Sequence, residues 1–502
     1  MTVFAAISLV VTVLFLARVV YRIVLHPLRR YPGPRLWAAS RLPWHFYNIR
    51  GTLAHKIHAL HEQYGSVVRI APDELCYTSS AAWKKIYGQP KPEFSKCLDG
   101  RGIAPVIKQA HLRGIIAAEV DKHRKLRRAI APAFSDRALA QQEGYLQKHS
   151  DNLIYCLRAR CGEGPVDLVK WFSLTAYDII TGMHDADIDI PPLNVGTELT
   201  FGESNGCLDS PDEPWLTVMG ARAKTIRWWQ FSIYYGFDEI VSRLAPAALT
   251  GSRKEHMKML AGKVQRRLKD TTDRKDFMSY ILDNKMEPLS VSELIIMASA
   301  FIVAGSGTSA RALAATIYFL CQNPEKLYLA SDEVRKVFSS EDDITIRDTA
   351  SLQYLTACID EAMRMHPPNP STLPRFVPEG GEVIEGQWVP GGIAVGVHQL
   401  SAGLAGWNFA KAKEYHPERW LDVSPGSQFE RQDKASVQPF SYGPRSCVGI
   451  NLAYAEMRLV LAKLLFTFNL ESTTDAEGWT SRQKNYLTWE QIPLMIKLSL
   501  RT

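Results

Sequence analysis

Hydrophobic and polar positions divide the chain into a short apolar start and a long mixed body. Residues 3–17 are uncharged and mostly aliphatic, and the apolar pattern resumes at Val19, Val20, Ile23, Val24 and Leu25 around Arg18 and Arg22. About 20 such residues cross a bilayer as a helix, and arginines near one end can reach the headgroups. Residues 1–25 are therefore predicted to be a single transmembrane anchor, with an amphipathic surface helix as the weaker alternative. Arginines at 18, 22, 29, 30 and 35 follow the apolar run, the reverse of a cleavable signal peptide. By the positive-inside rule they keep the rest of the chain cytosolic. Residues 26–35 are basic and proline-rich, and Tyr31-Pro32-Gly33-Pro34 is expected to end the helix in a stiff hinge.

From Leu36 onward the pattern is mainly helical, without repeats or a long flexible linker. The clearest case lies between Pro288 and Pro324. Ser290 and Glu293 have capping-box spacing, and apolar residues follow at Leu294, Ile295, Ile296, Met297, Phe301, Ile302 and Val303. Length alone would allow a second membrane span. The small and polar run Gly305-Ser306-Gly307-Thr308-Ser309, followed by Arg311, predicts a buried central helix instead. Strand signals are few: Val67 to Ile70, and Gly381 to Val397 with its Gly-Gly turns and alternating Val and Ile. Many helices with a small sheet region define a predominantly α-helical α+β fold.

Composition narrows the class further. The 502 residues are 46% hydrophobic and 22% charged, which excludes a disordered or low-complexity chain. A formal charge of +7 is mild at this length and does not call for nucleic acid. Eight cysteines without a C-x-x-C pair exclude a zinc ribbon or a disulfide scaffold and fit a reducing compartment. No N-x-[ST] sequon occurs, in keeping with a body that stays out of the secretory lumen.

The chemistry concentrates in Phe440-Ser441-Tyr442-Gly443-Pro444-Arg445-Ser446-Cys447-Val448-Gly449, ahead of an apolar helical pattern from Ile450 to Phe468. Cys447 thus precedes a helix N-terminus, a position expected to favour its thiolate. Gly443 and Gly449 would let the backbone approach something flat and large. Arg445 supplies a forked cation suited to a carboxylate. A thiolate, close backbone and a cation describe the proximal side of a haem. A buried free cysteine is the bland alternative, and it fits the other seven cysteines better.

This segment resembles the haem-binding signature F-x-x-G-x-R-x-C-x-G of the cytochrome P450 superfamily at every fixed position. Further segments follow the family's order. Glu361-Ala362-Met363-Arg364 is similar to the E-x-x-R motif, and Pro417-Glu418-Arg419-Trp420 to the P-E-R-F/W segment. The resemblance implies that Glu361, Arg364 and Arg419 form a buried structural network. Pro374-Arg375 stands where the family places a propionate-binding arginine, and His123 with Arg127 matches its W/H-x-x-x-R pattern. Ala304-Gly305-Ser306-Gly307-Thr308 resembles the oxygen-binding A-G-x-[D/E]-T groove.

The implied protein is a haem-thiolate monooxygenase with residues 36–502 as its catalytic domain. Haem b would be held by Cys447 as axial iron ligand and by Arg445, Arg375, Arg127, His123, Phe440 and Gly443. Thr308, Gly305 and Ala304 would serve dioxygen. Electrons would come from NADPH through a separate reductase, with cytochrome b5 as a second donor, at the endoplasmic-reticulum membrane. The segments Tyr31 to Arg35 and Arg69 to Leu75 look most like ascomycete enzymes of secondary metabolism, implying hydroxylation of an apolar terpenoid, polyketide or alkaloid.

Two departures qualify this. Gly307 replaces the usual acid of the oxygen groove, which raises the alternative of desaturation, oxidative coupling, isomerisation or dehydration. A polar stretch at residues 182–197, containing Pro191-Pro192, interrupts the family pattern and is read as a retained intron rather than a functional loop. Family position puts the substrate ceiling at residues 97–120 and 215–237. The aromatic cluster Trp228, Trp229, Phe231, Tyr234, Tyr235 and Phe237 is equally consistent with an apolar entrance and with plain core. The basic run Lys122, Arg124, Lys125 and Arg128 is expected to face an acidic reductase.

Overall fold

The computed structural model describes residues 2–89, 92–102, 114–181, 215–244, 258, 260–269, 276–283, 288–421, 424–473, 476–490 and 492–501. The stretch 182–197 lies outside the described residues, as does part of the expected ceiling, residues 103–113. An apolar helix, α1 (Thr2–Val20), starts the chain and runs into a π-helical turn, Tyr21–Leu25. None of the candidate span Val3–Leu25 is buried, so this helix contributes nothing to the core.

Residues 26–35 do not form a free joint. Leu28 is fully buried against Leu75, Tyr77 and Trp83. The Arg69 amide donates to the Pro32 carbonyl at 2.7 Å, and the Arg69 guanidinium donates to the Arg22 carbonyl at 3.0 Å. A Cβ at Gly33 would lie 2.5 Å from the Arg69 carbonyl oxygen, so glycine lets the segment lie flat on the first strand. The hinge is docked on the body.

The body is mostly helical. Its principal helices are α2 (Val120–Ile130), α3 (Asp136–Ala159), α4 (Leu168–Thr181), α5 (Trp215–Tyr235), α6 (Val291–Gln322), α7 (Gln353–Met365) and α8 (Ile450–Thr467). The central helix α6 opens with the expected capping box: Ser290 Oγ accepts from the Glu293 amide at 3.3 Å, and Glu293 Oε2 accepts from the Ser290 amide at 3.0 Å. It runs against α4, α7 and α8. Leu294, Met297, Ala298, Phe301 and Ile302 are buried before its middle, and Ala312 to Leu320 after it. A membrane span would turn these residues to lipid, whereas here they make the main core.

The strands form three small sheets. β1 (Val67–Ala71), β2 (Glu74–Tyr77), β3 (Ser95–Lys96), β5 (Arg375–Phe376) and β8 (Ala394–Val397) build the largest, in the order β1-β2-β8-β5-β3. Its pairs are antiparallel except β2–β8, which is parallel with Glu74 opposite Ala394. β4 (Val166–Asp167), β10 (Met495–Leu500) and β9 (Phe468–Ser472) form a second sheet, and β6 (Glu382–Ile384) with β7 (Gln387–Val389) a hairpin. The largest sheet carries β5, and with it Arg375, to the site.

Because α1 buries nothing, deleting residues 1–20 should leave the thermal midpoint of the body unchanged. Deleting residues 1–31 removes Leu28 from the core, at about 2–3 kcal/mol for one buried leucine, and should lower the midpoint by several degrees. Circular-dichroism melting of the two truncated chains in detergent checks both outcomes.

Candidate active site

The cysteine loop is shaped by its backbone. The Cys447 amide donates to the Phe440 carbonyl at 2.8 Å and the Ser446 amide to the Gly443 carbonyl at 3.0 Å, closing the loop on itself. Gly443 has φ +75°, and a Cβ there would lie 2.2 Å from the Tyr87 carbonyl oxygen. Its glycine requirement is thus set by protein backbone. At Gly449 a Cβ would meet only Phe134, at 3.8 Å, an ordinary contact. Phe440 packs on the main core with its ring 5.3 Å from Tyr454.

Cys447 is exposed, whereas Cys76, Cys97 and Cys358 are buried. Protein nonetheless surrounds its thiol closely enough for burial to push the thiol up, against the pull of the Gly449 amide and the Arg127 charge. Exposure and burial together describe an opening onto an interior space. The helix itself starts at Ile450, three residues on, and burial is the largest influence on the free thiol. Metal ligation deprotonates a thiol outright.

The oxygen-groove residues also face an opening. Val303 and Ala304 are exposed and Gly305 to Thr308 half-exposed, in the middle of a helix otherwise packed in the core. Phe134 links the two features. A Cβ at Gly449 would lie 3.8 Å from its ring, which stands 5.7 Å from Phe301, one turn before Gly305. Thr308 Oγ1 donates to the Ala304 carbonyl at 2.7 Å. Gly305 is needed for close packing, since a Cβ would lie 2.8 Å from the Ile180 side chain on α4.

Gly307 has a partner that the sequence did not reveal. Arg311 Nη1 donates to the Gly307 carbonyl at 2.5 Å, and its Nε donates to the Trp489 carbonyl at 2.7 Å. A Cβ at 307 would lie 2.4 Å from Arg311 Nη1. The guanidinium fills the space in which the side chain of an acid would start.

Cations gather at the other edge. The His123 imidazole is driven down to about 3, first by burial and then by Arg445, Lys96, Arg127 and Arg375. Arg375 is 5% exposed, lies over the Tyr87 ring and has a buried Nη1 without a partner. Arg445 pairs with Glu93 and donates to the Ala118 carbonyl at 2.8 Å. Lys96 donates to the Ile116 carbonyl at 2.6 Å, and burial beside Arg375 and Arg445 holds its amine well below its usual range. Arg127 donates to the carbonyl and hydroxyl of Ser446. Glu93 and Lys96 were not picked out from the sequence, because neither belongs to a spaced motif.

Glu361, Arg364 and Arg419 meet with no side-chain exposure. Glu361 accepts from Arg364 Nε and Nη2 at 2.8 Å each, and from Arg419 Nε, the His416 amide and Trp420 Nε1 at 2.9 Å each. Burial alone would raise this carboxyl, yet the bonds and charges of the two arginines hold it below the ordinary range. The remaining guanidinium donors go to main-chain carbonyls and to Gln432 Oε1, with Arg364 reaching the Ala412 carbonyl at 2.7 Å, and Arg419 reaching the Ala410 carbonyl at 3.1 Å and the Gln432 side chain.

These residues fit a flat, dianionic, metal-centred group. There is an open thiol, a helix exposed in mid-core, and a set of cations of which Arg375 has an unused donor. A cytochrome P450 family model matches residues 32–184 and 186–498, so the chain belongs to the cytochrome P450 family and is a monooxygenase of that class. It is 50% identical to the cytochrome P450 monooxygenase alt3 of Alternaria solani, over 96% of this chain and 91% of that protein. It is 45% identical to alt1 of the same organism, over 97% and 92%. It is 39% identical to an averantin hydroxylase of Dothistroma septosporum, over 97% and 89%. The family implies haem with a cysteine thiolate and electrons from a redox partner.

Replacing Glu361 with Gln should destabilise the fold by about 3–5 kcal/mol, because two buried guanidinium ions lose their anion. Trp420→Phe removes one hydrogen bond to the same carboxylate and should cost about 1.5–3 kcal/mol. Because the folded carboxyl titrates below its unfolded value, Glu361 stabilises the protein at pH above that unfolded value. This contribution is lost as pH falls through the folded one. Urea unfolding of wild type and Glu361→Gln at pH 7 and at pH 4 should therefore show the gap narrowing on acidification.

Proposed function

We propose that this chain hydroxylates an apolar small molecule with dioxygen and NADPH-derived electrons, as a tailoring step in fungal secondary metabolism. The observation that carries this reading is the pairing of the open Cys447 loop with the exposed Ala304–Thr308 stretch of α6, linked through Phe134. Haem, held by the Cys447 thiolate, would supply the activation of dioxygen. The protein's part is positional. Cys447 holds the iron side, and Arg375, Arg127, Arg445 and His123 take the propionate edge. Thr308 offers a hydroxyl that can turn from the Ala304 carbonyl to guide a proton. Since Gly307 brings no carboxyl, that proton has to come through water, the substrate or another residue.

The flavoprotein reductase docks on the exposed face of α2. Arg124 and Arg128 are exposed there, while Lys122 lies 3.7 Å from Glu293. Cytochrome b5 shares that basic face. The anchor places the body on the cytosolic side of the endoplasmic reticulum, with an apolar rim against the bilayer. Leu36, Phe46, Trp228 and Phe237 are all at least half exposed, while Phe231, Tyr234 and Tyr235 pack around His45. The aromatic cluster is therefore divided between a lipid-facing rim and core.

A second reading, desaturation, coupling, isomerisation or dehydration, draws on the Gly307–Arg311 arrangement. Substrate conversion without NADPH and reductase would select isomerisation or dehydration. Strict dependence on both retains the oxidations.

Microsomes carrying the chain should give a red-shifted, thiolate-type Soret band when reduced under carbon monoxide, and Cys447→Ala should abolish it. With reductase present, Thr308→Ala should cut product formed per NADPH by about tenfold or more while oxygen uptake continues. Hydrogen peroxide yield measures that uncoupling. Equal coupling in the two proteins would rule out a proton role for Thr308.

A further inference from the structure

Buried arginines divide this protein in an informative way. Arg41 pairs with Glu74, Arg267 with Asp276, and Arg364 and Arg419 with Glu361. Arg69 is closed off by the carbonyls of Pro72 and Arg22. Two buried arginines, Arg375 and Arg227, pair with no carboxylate among the described residues and keep a buried nitrogen without a partner. Arg375 faces the cofactor edge, where propionates supply the anion. Arg227, on α5, lies elsewhere.

Arg227 is 3% exposed. Its Nη1 donates to Gln230 Oε1 at 3.0 Å and its Nη2 to Asn485 Oδ1 at 3.4 Å, both neutral amides, and its Nε has no partner. Burial pulls it to about 10, so it stays charged at neutral pH. Around it the polar atoms are incompletely paired too: Asn485 Nδ2 and Asn48 Oδ1 are buried and unpartnered. A buried cation held only by neutral amides is unfavourable unless an anion joins it.

The position of this cluster suits a substrate. Gln230 donates to the Gly102 carbonyl, which joins the two segments expected to roof the site, and it accepts from Asn48 Nδ2 at 3.1 Å. Asn485 Oδ1 also accepts from Ser371 Oγ at 2.9 Å, four residues before Arg375. The same loop reaches the central helix through the Trp489 carbonyl, which accepts from Arg311 beside Gly307. Hydrogen bonds through Gln230 and the 485–489 loop therefore connect Arg227 to the roof segment at Gly102, to Ser371 before Arg375 and to Arg311 on the central helix.

We propose that Arg227 and Asn485 form an oxyanion-recognition site, and that the substrate is an organic acid: an apolar skeleton bearing a carboxylate or an ionised enol or phenol. The Arg227 Nε–H and the Asn485 amide are the free donors, and the oxyanion accepts from both. This rests on the monooxygenase reading above and narrows its substrate class. The site orients the skeleton by one end and leaves the far end for oxidation.

The test uses the full-length haem protein in nanodiscs. Dodecanoate and 2-naphthoate are each titrated beside their methyl esters at pH 7.5, with binding read from the Soret spin-state shift. At least one acid should bind about 10- to 100-fold more tightly than its ester. Arg227→Gln should abolish that preference. Asn485→Asp, which places a carboxylate beside the guanidinium, should abolish it too while keeping the fold. An unchanged carbon monoxide spectrum certifies each variant. The proposal is overturned if neither acid outbinds its ester, or if the preference survives both substitutions. A failure of the haem-thiolate reading would show instead as a missing carbon monoxide band in the wild type. Equilibrium dialysis of the same four compounds then decides the oxyanion site by the same comparison.

Discussion

One carboxylate without solvent exposure, Glu361, organises the half of the molecule that presents the cysteine. It receives five hydrogen bonds, three from two guanidinium groups, one from the His416 amide and one from the Trp420 indole. An unpaired charge at this depth would cost several kcal/mol, so the ring of donors leaves little freedom to the chain that supplies it. That chain leads to the site. Arg419 also binds Gln432, the Asp433 amide donates to the Asn408 carbonyl at 2.9 Å, and Trp83 Nε1 donates to the Ser436 carbonyl at 2.8 Å. Four residues later Phe440 begins the loop that closes on Cys447. Gly403 shows how tight the arrangement is, since a Cβ there would lie 2.1 Å from the Arg364 carbonyl oxygen.

A second constraint is charge left over. Lys96, Arg127, Arg375 and Arg445 crowd His123, and Glu93 pairs with Arg445. Like charges at this spacing in a poorly solvated region repel strongly. Their strain is the counterpart of the network around Glu361: there the protein supplies its own anion, and here the ligand supplies it. A propionate-bearing haem, which the family implies, would relieve the repulsion and offer an acceptor to the orphan nitrogen of Arg375. Binding of the cofactor and cohesion of this edge would then be coupled.

Much of this was legible in the sequence wherever function depends on local spacing. The capping box at Ser290, the i, i+3 pair Glu361–Arg364 and the loop before Cys447 are set by a few consecutive residues. What was not legible depends on residues brought together from afar. The glycine at 443 answers to Tyr87, the space at 307 belongs to Arg311, and Lys96 enters the cation cluster from a two-residue strand. The docking of the hinge was not legible because proline and glycine spell a turn in either case. Leu28 in the core and the Pro32 carbonyl bonded to the Arg69 amide show that the turn lies on the sheet.

Gly307 and Arg311 form one local arrangement. On a helix, residues four apart share a face, and here the arginine turns back to bond the carbonyl of the glycine. Were a carboxylate to stand at 307, it would pair with this guanidinium and be spent as a counter-ion, unavailable for proton traffic. With glycine, the guanidinium is held instead between the Gly307 and Trp489 carbonyls, and it joins the oxygen groove to the loop that also holds Arg227. An anionic substrate bound at that loop would be felt, through one connected set of hydrogen bonds, at the turn that carries Thr308.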